Sequence, residues 1–182
     1  AGAPCPGRGP PPPPRSTGGG AISPAPAGDS SPSLVAPADE LPGDLHDSYR
    51  LLLTPLLEAL DALGVDAGLA DDDRPALHEP ACYLRARSPA HDVVGPDGRK
   101  LSGNAQHRTR EAVVQHGSLL HAVDPARHVA PFAADLDPAA VRDRVGAVSA
   151  YADVDRAETV AAVEAALGAW TDAEPGGWTD AE

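Results

Sequence analysis

The stretch AHDVVGPDGRKLSGNAQHRTREAVVQHGSLL, Ala90 to Leu120, decides how this chain folds. Asp92-Val93-Val94 and Arg99-Lys100-Leu101-Ser102 flank Pro96-Asp97-Gly98, a turn signal, so the spacing predicts a β-hairpin. A longer strand is predicted between Glu111 and Ala122, with a bend at Gly117. Lys100, in the glycine-flanked segment after the turn, is the only lysine among 14 basic residues. Arginine is a planar fork, whereas lysine is a compact point charge suited to phosphates and carboxylates. A chain that otherwise uses arginine for positive charge points to chemistry at Lys100; a solvated hairpin lysine is the plainer alternative.

Outward from the hairpin, the pattern mixes helix and strand. Leu45, Tyr49, Leu52, Leu56, Leu60 and Leu63 recur at helical spacing and predict a helix from about Asp44 to Leu63. Asp44 and Asp47 suit its positive N-terminal end, Gly64 suits its C-terminal cap, and Pro55 predicts a kink. Short strands are expected at Ser33-Leu34-Val35, at Val65-Asp66-Ala67 and at Cys82 to Arg87. Asp137-Pro138 opens a helix to about Val145, and Asp155 with Glu158 forms a capping box for another to about Trp170. Trp170 to Glu174 echoes at Trp178 to Glu182, where a further helix start is expected.

The 182 residues are enough for one domain with tails. Only six are aromatic and none is methionine, so the core must be built from Leu, Val and Ala. The net charge of −13 disfavours nucleic acid and anionic membrane as partners, because both repel it. Such an acidic, lysine-poor chain fits the cytoplasm of a halophilic organism, where salt screens self-repulsion. GC-rich codon usage would also favour this composition. Cys5 and Cys82 suggest no disulfide framework, and the scattered histidines suggest no structural zinc. No apolar run is long enough to span a membrane, and no basic-then-apolar leader is present. The first residue is Ala rather than Met, which is expected of a processed chain or a fragment. Residues 1–14 are Pro/Gly-rich, with Pro10 to Pro14 consecutive, and are expected to be a disordered tail.

Three motifs can carry chemistry. Arg15-Ser16-Thr17-Gly18-Gly19-Gly20-Ala21-Ile22 offers backbone amides that can approach an anion, and an arginine that can clamp one. Glycine triplets after a proline tract are also common linkers. The second motif is the Lys100 segment. The third is Gln115-His116-Gly117-Ser118, whose histidine is either structural or site-lining. Asp92 reads as a metal ligand or as a solvated turn residue.

In their order these pieces resemble the lipoate–protein ligase family, within the biotin/lipoate ligase superfamily. RSTGGGAI is similar to that family's Arg-Arg-x-x-Gly-Gly-Gly-Ala-Val signature. Ala90 to Leu120 is similar to its Asp-Leu-Val, Gly-Arg-Lys-Ile-Ser-Gly-Ser-Ala and His-Gly-Ser-Leu-Leu run, almost without a gap. Pro14 stands at the signature's first arginine, and Ser23 to Asp29 replace an aromatic-His-x-x-Gly-Asp pattern of which Gly28-Asp29 survive.

The resemblance implies an α+β fold: a mixed, largely antiparallel sheet flanked by helices, like class II aminoacyl-tRNA synthetases and biotin ligases. It makes residues 15–182 a partial catalytic domain lacking the family's N-terminal elements. It implies ATP-dependent activation of lipoate to lipoyl-AMP, with Mg²⁺, and transfer of lipoyl to a carrier lysine. Lys100 would bridge the lipoate carboxylate and the ATP α-phosphate. Arg15, Gly20, Ala21 and Ile22 would bind ATP. Gly18, Gly19, Ser102, Ala105 and His116 would line the lipoate, and Asp92 would hold the metal. Expected partners are the lipoyl domains of 2-oxoacid dehydrogenase E2 and the glycine-cleavage H protein, with a separate small accessory ligase subunit as a further possibility. Two other readings stand beside this one. The first is an ATP-independent octanoyl or lipoyl transferase using Cys82; the second is a truncated, non-catalytic paralogue that binds lipoate or a carrier.

Overall fold

Residues 28–76, 82–84, 90–130 and 137–171 are described by a computed structural model of the chain. Among the described residues six strands form one sheet: β1 (Asp29–Ser30), β2 (Ser33–Pro37), β3 (Gly68–Leu69), β4 (Asp92–Val94), β5 (Lys100–Arg108) and β6 (Ala112–Leu120). Their order is β1-β6-β5-β4-β3, with β2 also on β6, and every strand pair is antiparallel. Among the same residues four α-helices flank the sheet: α1 (Leu45–Ala62), α2 (Pro125–Val129), α3 (Pro138–Arg144) and α4 (Arg156–Thr171). The architecture is α+β.

The leucine stripe forms α1 as its spacing predicts. Asp44 caps the helix by accepting from the Asp47 N–H, and Gly64 follows it at φ +77°, a left-handed conformation that glycine adopts without strain. Pro55 sits inside this helix, with its side chain buried. The capping box of α4 is reciprocal: Glu158 N–H donates to Asp155, and Asp155 N–H donates to Glu158. Tyr49, Leu53, Leu56 and Leu60 of α1 and Val163 of α4 close over Val93, Leu101 and Leu119 of the sheet. A second cluster, Tyr83, Leu84, Leu120, Val141, Val145 and Ala147, brings α3 against the other side.

Several expectations shift. The strand expected at Val65 to Ala67 lies at Gly68–Leu69, because Val65 N–H still bonds back to Leu60 at the helix end. The strand expected over Cys82 to Arg87 is instead a 3₁₀ turn at Cys82–Leu84, whose Tyr83 is drawn into the second cluster. Residues 85–87 lie outside the described residues, as do the proline tract, the Arg15 to Ile22 motif and the helix start expected at 179. Gly117 lies within β6. A Cβ there would clash with Asn104 Oδ1, so close approach of β5 explains this glycine.

Candidate functional site

A register shift in the hairpin decides which way Lys100 points. Asp92 pairs with Gly103 and Val93 with Ser102, but Val94 pairs with Lys100, so Leu101 is skipped. In a regular strand the alternation of side chains would set Lys100 on the face opposite Asp92. The bulge instead leaves Leu101 in the core with Val93 and swings Lys100 to the Asp92 side. There the Lys100 ammonium donates to Asp92 Oδ1 at 2.9 Å, with both side chains at least nine-tenths buried. The Lys100 Nζ also lies 5.6 Å from the centroid of the Tyr83 ring.

The surroundings are built from three directions. Gly103 sits between Asp92 and Ser118 in register, so the strand offers backbone and no side chain there. Ser118 donates to Asp29 at 3.5 Å, and the Tyr83 hydroxyl donates to the Ser118 carbonyl. His128 of α2 meets the Tyr83 ring edge-on at 5.5 Å between centroids. Burial holds the His128 imidazole below its ordinary value, against the opposing pull of Asp29. The Lys100 carbonyl accepts from Gly146 N–H at 3.0 Å, tying the strand to the link after α3.

The site residues expected from sequence fall into three groups. Lys100 and Asp92 meet directly. Ala105 and His116 pair across β5 and β6, two residues along from Gly103 and Ser118, so alternation places both on the Lys100 side. Ser102 does not join them. It is fully buried opposite Val93 and Leu119 on the α1 side, where its hydroxyl donates to Asn104 Oδ1 at 3.2 Å. The bulge is the reason: it turns Ser102 with Leu101 toward the core. Arg15, Gly18, Gly19, Gly20, Ala21 and Ile22 lie outside the described residues. Tyr83, Gly103 and Ser118 belong to the site and were missed. Ser118 lies two residues beyond His116, where alternation could have found it, whereas the bulge breaks the alternation that would lead from Lys100 to Gly103.

Asp92, the residue the resemblance assigns to Mg²⁺, has its Oδ1 engaged by the Lys100 ammonium. Among the described residues no group of three or more His, Cys, Asp or Glu side chains could hold a metal ion. Among the same residues no helix is long and apolar enough to cross a membrane.

An antiparallel sheet flanked by helices defines a class, the α+β fold of lipoate ligases that is like class II aminoacyl-tRNA synthetases. Similar solved structures include the bipartite lipoate protein ligase of Thermoplasma acidophilum, studied with its E2 lipoyl domain. The TM-score is 0.64 at 22% identity, over 87% of this chain and 56% of that one. A lipoate-protein ligase A bound with ATP gives 0.64 at 24% identity, over 87% and 57%. The family model for the lipoyl protein ligase A/B catalytic domain matches residues 4–168, and the chain belongs to that family. Curated relatives include the octanoyltransferase LipM of Kyrpidia tusciae, 39% identical over 88 residues, which is 47% of this chain and 32% of the relative. LipM of an Exiguobacterium species is 35% identical over 112 residues, 59% of this chain and 41% of the relative. The chain therefore spans well under half the length of these relatives.

Proposed function

We propose that this chain carries the acyl-transfer centre of an octanoyltransferase that works through a thioester on Cys82, without ATP. The observation that carries this reading is the placement of Lys100 beside the turn that begins with Cys82. Tyr83, the next residue, has its ring over the Lys100 ammonium. The curated relatives named octanoyltransferase support the same choice over activation by ATP.

The chemistry needs only groups the chain supplies. The Cys82 thiolate attacks the carbonyl carbon of an octanoyl thioester presented by a carrier. The new S–C bond forms, the carrier's C–S bond breaks, and the carrier leaves as a thiol after taking up a proton. The ε-amine of a lysine on a lipoyl domain then attacks the acyl-cysteine. The N–C bond forms, the Cys82 S–C bond breaks, and the amine proton neutralises the departing thiolate. Lys100 serves both halves: a fixed ammonium favours thiolate over thiol and stabilises the oxyanion of each tetrahedral intermediate. Asp92 fixes the ammonium in place. Ala105 and His116 line the acyl chain on the same side of the sheet. Ser102 contributes behind the sheet, by holding Asn104.

The ligase reading assigns the same lysine to lipoate and the α-phosphate, and places ATP on Arg15, Gly20, Ala21 and Ile22. The two readings separate in one experiment. The chain is incubated with an octanoyl thioester and an apo lipoyl domain, with and without ATP and Mg²⁺, beside Cys82→Ser. Transfer that persists without ATP and vanishes in Cys82→Ser supports the thioester route. Transfer from free octanoate or lipoate that requires ATP and survives Cys82→Ser rejects it.

A further inference from the structure

The sheet holds Lys100 through its neighbours, and one side chain ties those neighbours together. The Tyr151 ring lies between two glycines. A Cβ at Gly95 would come within 2.8 Å of Tyr151 Cζ, and one at Gly146 within 2.8 Å of its hydroxyl. Neither position could carry a side chain with this ring in place. The Tyr151 hydroxyl donates to Asp97 Oδ1 at 2.6 Å. Asp97 in turn accepts from the backbone N–H of Arg99 at 3.1 Å and from its Nε at 2.8 Å. The Arg99 guanidinium lies 5.3 Å from the Tyr151 ring centroid, closing the loop. Burial raises the Tyr151 hydroxyl to about 12, with the bond to Asp97 adding to the effect, so it stays a donor at any physiological pH.

Two facts connect this clamp to Lys100. Arg99 immediately precedes it, and Gly146 donates to the Lys100 carbonyl at 3.0 Å. Lys100 also forms a parallel bridge with Val145. The clamp therefore grips both the hairpin that enters Lys100 and the link that lies beside it. The bulge that aims Lys100 at Asp92 is a single skipped residue, and a strand can recover regular pairing if its ends are loose.

We infer that Tyr151 is a positioning residue, which locks the bulged register through Gly95, Asp97, Arg99 and Gly146 and so keeps the Lys100 ammonium on Asp92. This rests on the acyl-transfer reading for its effect on rate, but not for its effect on Lys100 itself.

The lone lysine makes the test direct. Protein labelled with ¹³C at the lysine ε-carbon gives one signal, that of Lys100. Wild type, Tyr151→Ala, Tyr151→Phe and Leu52→Ala are compared by this signal, by circular dichroism and by octanoyl transfer. Leu52 is buried on α1, outside the clamp, and controls for plain loss of stability. Tyr151→Ala is expected to shift or broaden the Lys100 signal and to lower kcat about tenfold with KM unchanged, since small misplacements of a reacting group cost rate steeply. Tyr151→Phe, which keeps the ring between the glycines but loses the bond to Asp97, falls between it and wild type. Leu52→Ala leaves the signal where it is. An unmoved signal in folded Tyr151→Ala overturns the proposal, and so does an equal change in Leu52→Ala. A signal that moves while no variant, wild type included, transfers octanoate rejects the acyl-transfer reading and leaves the clamp standing.

Discussion

The two faces of the sheet use burial for opposite ends. On the α1 and α4 face, buried side chains are mostly aliphatic, and Leu60, Val93, Leu101 and Leu119 are fully enclosed. Apolar burial of this kind stabilises the fold by roughly 1.5–3 kcal/mol per large side chain. On the other face the chain buries an ion pair, Lys100 with Asp92. Removing two charges from water costs about as much as their attraction returns, so such a pair is weak as a source of stability. The single lysine of the chain sits in that buried pair, which fits the role in acyl transfer proposed for it. One face is an aliphatic core, and the other sets the ion pair beside a second apolar cluster.

Substitutions can break that contrast from either side. The largest effect is expected for Lys100→Ala, which removes the ammonium proposed to meet the oxyanion. Octanoyl transfer should fall by about 10²–10³-fold in kcat, as loss of an oxyanion donor does elsewhere. Rates measured on folded protein check this, and a loss below tenfold would assign Lys100 a lesser role. Asp92→Ala strikes both properties at once. It leaves the buried ammonium without that carboxylate, so stability should drop by about 3–5 kcal/mol while transfer also falls. Urea titration and initial rates on the same preparation test the pairing of losses.

Leu60→Ala should separate the two faces. Truncating this enclosed leucine is expected to cost about 2–5 kcal/mol. Activity per folded molecule should stay unchanged, because the lost contacts lie behind the sheet. A loss of rate as large as that of Asp92→Ala would dissolve the distinction.

The smallest effect concerns pH. His91 and His128 both titrate below the ordinary imidazole value of 6.5. The cause in each is burial first; for His91 the charge of His46 adds to it, while Asp92 opposes. The unfolded chain therefore binds more protons than the folded chain just below pH 6.5. Stability should fall as pH drops through that window, and should be restored as pH rises again. Urea midpoints on both sides of pH 6.5 measure it, and replacing His128 by Gln should flatten the slope.

Much of this was legible from residue order. The turn at Pro96-Asp97-Gly98, the leucine stripe of α1 and the capping box at Asp155 are local signals, and each produced the element it predicts. The stretch from Asp92 to Leu120 also pointed to the site lysine and its aspartate. What escaped was non-local. A one-residue bulge leaves no mark in composition, yet it sends Lys100 to one face and Ser102 to the other. Cys82 to Arg87 reads as a strand because its residues suit one, but Tyr83 finds a better place against the second cluster and the Ser118 carbonyl. Tyr151 carries no local signal at all: its importance lies in two glycines about fifty residues apart in sequence, brought to either side of one ring by the fold.

The proposed route carries the acyl group through Cys82, beside a fixed ammonium. Intact-mass analysis after brief exposure to an octanoyl thioester, with ATP absent, tests it most directly. One octanoyl adduct is expected, which maps to Cys82, is absent from Cys82→Ser, and is discharged by an apo lipoyl domain. An unmodified chain that instead forms octanoyl-AMP once ATP and octanoate are supplied would contradict it.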